Sequence, residues 1–188
     1  MATYNTPENL NCLSPSLTSE TFLILEHAAR DDACKVLIWT GAGDRAFSSG
    51  AALKGDGEHF ENHVPTHVIK DYGARGMFTR GGNPPDMVMA RQTVAFWDFP
   101  KPIIMAINGL AVGGGANIAL ANYGDMVICS TAARFKYPFS TLGLTPELGS
   151  SSLIPFVVGM AKAKVRPAHH HDSPTRRSQN RSTRHFFC

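Results

Sequence analysis

Paired cysteine motifs are missing from this chain. Its four cysteines, Cys12, Cys34, Cys129 and Cys188, are scattered with no CxxC spacing. That pattern excludes a disulfide framework or a cysteine-based zinc site and reads as reduced thiols of an intracellular protein. No apolar run reaches the ~18 residues that cross a membrane, and no basic start followed by an apolar stretch forms a secretory leader. The body of the chain lacks excess charge. The net charge of +3 comes from residues 167–188, where Arg176, Arg177, Arg181 and Arg184 stand against a single Asp172. Residues 1–166 therefore balance, and no basic groove for nucleic acid is expected in them. Phosphate-cradling signatures are missing as well: there is no GxGxxG with a placed acid and no GxxxxGKS. "SSGAA" is not a GxSxG elbow, and no Ser/His/Asp order can be read.

What is present is globular. The chain has 188 residues, 43% hydrophobic and 18% charged, enough for one domain with a real core. Residues 1–166 read as that core. Ser14-Pro15 predicts a capped helix start, with Leu17, Thr21, Ile24, Leu25 and Ala28 on one face and Asp31-Asp32 at its end. "KVLIWT" (Lys35 to Thr40) predicts a strand covered on both sides, punctuated by Gly41 and Gly43. "KPIIMAING" predicts a second strand, "GANIALANY" a small-residue helix and "DMVICS" (Asp125 to Ser130) a third strand. A turn is expected at Thr145-Pro146 and a helix after Ser150. Strands alternating with helices give an α/β class. Residues 54–95, which carry His59, His63 and His67, read as a variable connection with a helix such as Pro85 to Phe96. Residues 167–188, basic and rich in histidine, read as a disordered tail.

Two stretches leave the backbone unusually bare: "FSSGAALKGDG" (Phe47 to Gly57) and "INGLAVGGGANIALA" (Ile107 to Ala121). A backbone N–H stabilises an oxyanion only where no side chain blocks the approach, which suits Gly and Ala. A helix start adds free donors. Two such donors converging on one carbonyl oxygen make an oxyanion hole. Among the other acids, Asp98 reads as a helix-end residue, Asp125 as a local hydrogen-bonding group at a strand start, and Asp44 as a turn residue beside Arg45.

These blocks together resemble the crotonase superfamily of enoyl-CoA hydratases and isomerases. The resemblance runs from "NTPENLNCLSPSL" through "VLIWTGAGDRAFSSGAALK" and "FPKPIIMAINGLAVGGGANIALA" to "DMVICSTAARFKYPFSTLGLTPELGSSSLIPFVVGMAKA". It covers about residues 5–165, with 54–95 matching loosely. It implies an α/β spiral of ββα units, the ClpP-like crotonase fold. It also implies an acyl-CoA thioester as substrate, with coenzyme A arriving as part of that substrate and neither a separate cofactor nor a metal. The first oxyanion donor maps to Ala51 and the second to Gly114. Ser49, Gly50, Ala52, Leu53, Lys54 and Gly113 fall where the family grips coenzyme A and the acyl group. Hydratases of the family use two glutamates. One lies two positions after GGG, where this chain has Asn117, and the other maps to Glu147 in "LTPELG". An amide exchanges no proton at neutral pH, so Asn117 is left to orient a ligand or water. A single carboxylate fits the isomerase branch, whose peroxisomal and fungal members "LGLTPELGSS" also resembles. There one glutamate moves a proton from C2 to C4 and shifts the double bond.

The family also implies a homotrimer or hexamer and a peroxisomal location, although "FFC" is no peroxisomal signal. Otherwise the chain is expected in the cytoplasm. The first strand is expected to be cut to "MATY" at most. The C-terminal helical region is expected to be missing or replaced by the polar tail, leaving apolar surface on the core. A hydratase-like enzyme of fungal secondary metabolism and an impaired copy that only binds acyl-CoA or its full-length relatives are the alternative readings.

Overall fold

Ser14 does cap the first helix. In this computed structural model, which describes residues 1–52, 92–121 and 123–163, its hydroxyl accepts from Leu17 N at 3.2 Å, and Pro15 opens helix α1 (Pro15–Arg30). Leu17, Thr21, Leu25 and Ala28 are buried as the periodicity requires, joined by Phe22. At the far end the Lys101 ammonium donates to the Ala28 and Asp31 carbonyls at 2.6 and 2.7 Å. A cation on the last helical carbonyls satisfies groups that have no intrahelical donor.

Seven short strands follow one repeating rule. Strands β1 (Ala2–Tyr4), β2 (Leu37–Gly41), β4 (Ile103–Ile107) and β6 (Met126–Cys129) form a parallel sheet in the order β1-β2-β4-β6. Strands β3 (Ala46–Ser48), β5 (Leu110–Val112) and β7 (Arg134–Lys136) form a second parallel sheet in the order β3-β5-β7. Each coil gives one strand to each sheet. Helix α2 (Gly114–Leu120) follows the second coil, and a 3-10 turn (Phe139–Leu142) and helix α3 (Ser150–Val158) follow the third. This is the expected ββα spiral.

The first strand is short, within the expected "MATY": Ala2, Thr3 and Tyr4 stand in register with Trp39, Thr40 and Gly41. Strand β2 is not covered on both sides. Leu37 and Trp39 are buried, whereas Ile38 is 39% exposed. The parallel register aligns Ile38 with Ile104 and then Met126, so this apolar row shares the outer face of the sheet. A run of apolar residues looks the same whether one face or two are packed, so periodicity could not separate the two cases. Of the expected helix from Pro85 to Phe96, residues 92–97 are helical, and 85–91 lie outside the described residues. Phe156 and Met160 present apolar surface at 87% and 58% exposure.

The inner face of the first sheet carries a chain of rings. Tyr4, Trp39, Phe96 and Tyr123 meet edge to face at centroid separations of 5.4, 5.1 and 5.4 Å. That geometry is the preferred one for aromatic quadrupoles.

The corner between β2 and β3 is braced by two asparagines. Asn11 is fully buried; its amide nitrogen donates to Ala42 O at 3.0 Å and Ala46 O at 2.8 Å, and its oxygen accepts from Thr6 N at 3.0 Å. Asn108 accepts from Gly41 N and donates to Gly43 O and Ala46 O. The coils stack so tightly here that a Cβ on Gly109 would lie 2.5 Å from Arg45 O. Replacing Asn11 by Ala strands buried carbonyls and an amide. The expected loss is on the order of 3 kcal/mol, read as a lowered urea midpoint at unchanged m-value.

Candidate active site

The site is built where β3 and β5 end side by side. Gly50 follows β3 with φ +86°, a left-handed conformation that favours glycine. A Cβ there would collide with Val112 O and lie 3.3 Å from Gly114 N. Only a bare residue lets these two main chains touch. Leu13 then makes a parallel bridge to Ala51: Leu13 N donates to Gly50 O at 2.8 Å, and Ala52 N donates to Leu13 O at 3.4 Å. In such a bridge the middle residue turns its own N–H away from the partner strand. The Ala51 N–H thus faces away from Leu13, at a residue exposed to solvent.

Each glycine of the triplet answers a different demand. Gly113 has φ +51° and ψ −118°, outside the range of ordinary side-chain-bearing residues, and its N–H donates to Lys136 O at 2.9 Å. Gly114 opens α2, so its N–H has no intrahelical acceptor. Gly115 packs on β3: a Cβ there would lie 2.5 Å from Ser48 O. Gly114 is buried, yet an added Cβ would make only ordinary contacts. A Cβ on it would meet Leu13 Cδ1 at 3.5 Å, Glu147 Oε1 at 3.8 Å and Ala51 N at 3.9 Å. One small space therefore gathers three of the residues read from the sequence: Ala51, Gly114 and Glu147.

Glu147 sits in the turn before α3, with its residue exposed and its main chain held hard. Its carbonyl accepts from Ser150 Oγ at 2.6 Å, Ser150 N at 2.9 Å and Asn117 Nδ2 at 3.1 Å. Asn117 is fully buried. Its amide nitrogen holds the turn that carries Glu147. Leu148 follows at φ +53° and Gly149 at φ +73°, so the turn contains a branched residue in a strained conformation. Tyr123 reaches the same turn, its hydroxyl donating to Leu148 O at 3.4 Å and sharing a 2.6 Å hydrogen bond with Thr93. Burial first of all holds the Tyr123 phenol above its ordinary value. The hydrogen bond with Thr93 opposes this shift, and the Glu147 carboxylate adds to it. The phenol stays neutral and keeps its proton to donate.

Of the other residues read from the sequence, Ser49 faces the N-terminal segment, its N–H donating to Leu10 O at 2.9 Å and its hydroxyl to Asn9 O at 3.4 Å. Leu53 and Lys54 lie outside the described residues, as do His59, His63 and His67. Asp125 is structural: its carboxylate accepts from Ile103 N at 2.8 Å. Leu13, Tyr123 and Ser150 join the site without having been singled out. No local pattern marks them, since each matters through a partner elsewhere in the fold. Among the described residues no three His, Cys, Asp or Glu side chains gather as metal ligands, and no helix is long and apolar enough to cross a membrane.

The three glycines separate in a substitution series. Gly115→Ala forces β3 and α2 apart and is expected to cost ~2 kcal/mol or more. Gly114→Ala keeps the fold within ~1 kcal/mol of the parent, because alanine favours a helix and its contacts here are ordinary. Chemical denaturation of the two variants checks this difference.

Comparison with known proteins agrees with this fold. A model of the enoyl-CoA hydratase/isomerase family matches residues 1–160. The chain is 37% identical over 161 residues to 1,2-epoxyphenylacetyl-CoA isomerase of Escherichia coli (strain K12), covering 86% of this chain and 55% of that protein. It is 34% identical to enoyl-CoA delta isomerase 2 of Rattus norvegicus, covering 86% of this chain and 36% of that protein. The crystal structure of an enoyl-CoA hydratase from Bacillus anthracis superposes with a TM-score of 0.68 at 27% identity, covering 87% of this chain and 56% of that one. The chain thus spans about half the length, or less, of these relatives. With a family model over most of its residues and a matching spiral, the chain belongs to the enoyl-CoA hydratase/isomerase family.

Proposed function

We propose that this site shifts the double bond of a 3-enoyl-CoA thioester to the 2-position. The thioester carbonyl oxygen sits between the Ala51 and Gly114 N–H groups, which draw negative charge onto it as an enolate forms. That stabilisation acidifies C2. The Glu147 carboxylate takes the C2 proton and the C2–H electrons pass through C1 onto the oxygen, giving a dienolate; as C1=O re-forms, C2=C3 is made and the C3–C4 π electrons take the proton back from the same carboxyl at C4. The double bond moves from C3–C4 to C2–C3, with no net gain or loss of atoms. Coenzyme A enters as part of the substrate, along the Ser49–Ala52 stretch and the Leu53 and Lys54 that follow it.

One observation carries this reading: a single substituent on Gly114 would stand within 4 Å of both the Ala51 amide and the Glu147 carboxylate. A carbonyl held by the amides thus places its neighbouring carbon beside the base. Asn117 favours isomerisation over hydration, because adding water across the bond by the family's two-carboxylate route needs a second titrating group where this chain has an amide. The names of two relatives, an epoxyphenylacetyl-CoA isomerase and an enoyl-CoA delta isomerase, point the same way.

The test is the ultraviolet absorbance of the conjugated product. Glu147→Gln is expected to lower the rate of 3-enoyl to 2-enoyl conversion by 10²–10⁴-fold or so, with acyl-CoA binding within a few-fold of the parent. A Gln variant that converts at the parent rate removes Glu147 from the chemistry. Turnover of 2-enoyl-CoA to a hydroxyacyl product, without bond migration, points to hydration instead.

A further inference from the structure

We infer that Asn117 is a positioning residue that registers the Glu147 carboxylate against the two amide donors. The inference rests on the reading of Glu147 as the base. Glu147 itself has an exposed side chain on a turn, a poor platform for a group that must meet one carbon atom. Two of the three donors to its carbonyl come from Ser150, within the same turn. They shape the turn but tie it to nothing else. Among the described residues, the Asn117 amide ties that carbonyl to another element, 30 residues away in sequence, at 3.1 Å.

Its origin matters. Asn117 and Gly114 lie three apart on α2 and so share one face of it. The N–H of Gly114 and the clamp on Glu147 therefore come from adjacent points of one rigid segment. Buried packing holds that segment, since every residue from Gly114 to Leu120 is buried. Distance between donor and base is set by α2 rather than by the loop. The turn also needs a restraint, because Leu148 at φ +53° relaxes to an extended conformation if released. Tyr123, bonded to Thr93 and reaching Leu148 O, is the second and longer tether on the same turn.

The chemistry of the clamp is specific to an amide. A carbonyl oxygen only accepts, so the group facing it must donate. Asn117 Nδ2 does so, and among the described residues its Oδ1 finds no donor. A buried amide with one half unsatisfied is costly for stability alone; its one bond is the one that fixes Glu147. An aspartate in its place would donate only when protonated. As a carboxylate it would set oxygen against oxygen.

That asymmetry supplies the test. Asn117→Asp preserves volume and the packing of α2, and Asn117→Ala removes the clamp outright. Both are compared with the parent and with Glu147→Gln in the bond-migration assay across pH, in the full chain. Loss of the clamp is expected to lower kcat on the order of 100-fold with KM within about two-fold, because acyl-CoA contacts are untouched. For Asn117→Asp the ratio of variant to parent kcat is expected to rise as pH falls, as the buried carboxyl gains its proton and donates again. A flat ratio across pH, or a parent-like kcat in Asn117→Ala, overturns the inference. Hydrogen–deuterium exchange gives a readout that needs no turnover. The Ser150 amide, bonded to Glu147 O, is expected to exchange faster in Asn117→Ala while β4 and β6 keep parental protection. Unchanged protection at Ser150 also overturns the inference. Should Glu147→Gln turn over like the parent, the base assignment falls. Should Glu147→Gln be dead while both Asn117 variants keep parental kcat, only the positioning role falls.

Discussion

No side chain fits between Gly50 and the Val112 carbonyl, and the rest of the site follows from that contact. It brings the end of β3 against the end of β5 at backbone distance. The Ala51 and Gly114 N–H groups then come from two stretches of main chain more than sixty residues apart in sequence yet adjacent in space. By stacking equivalent corners of successive coils, the spiral places bare main chain from both coils beside the Glu147 carboxylate. Gly113 bends the chain into position, Gly114 opens α2 beside Ala51 and Glu147, and Gly115 lets α2 lie on β3.

Buried amides perform the remaining alignment. Asn11 and Asn108 both grip the carbonyls of the β2–β3 corner, and Asn117 grips the carbonyl of Glu147. In each case the side chain adds a hydrogen bond that ties an irregular stretch of chain to another element. Carbonyls in the interior need such donors. Here the donors also decide where the corners sit. The ring chain from Tyr4 to Tyr123 extends the same logic, because its last hydroxyl reaches the turn beside Glu147.

Much of this was legible in the sequence. Helix α1 announced itself through Ser14-Pro15 and its apolar face, and β2, β4 and β6 through apolar runs bounded by glycine or charge. The second sheet was not legible. Strands of three residues such as Ala46–Ser48 and Leu110–Val112 have too little pattern to detect and exist because coils stack. Ala51, Gly114 and Glu147 were found through resemblance, and the spiral does bring them together. The tether from Asn117 was hidden because a hydrogen bond spanning 30 residues leaves no trace in local spacing. The exposed row on the outer sheet face was hidden for a related reason: residue type fixes apolarity but not which side is covered.

Leu148 shows how the two requirements on such a protein conflict. A leucine in the left-handed region is disfavoured by roughly 1–2 kcal/mol, and glycine or asparagine would relieve that strain at once. Either replacement would also widen the set of shapes open to the turn. Drift at this position therefore trades robustness of the fold against sharpness of aim, and a variant selected only for heat resistance would gain the first by surrendering the second.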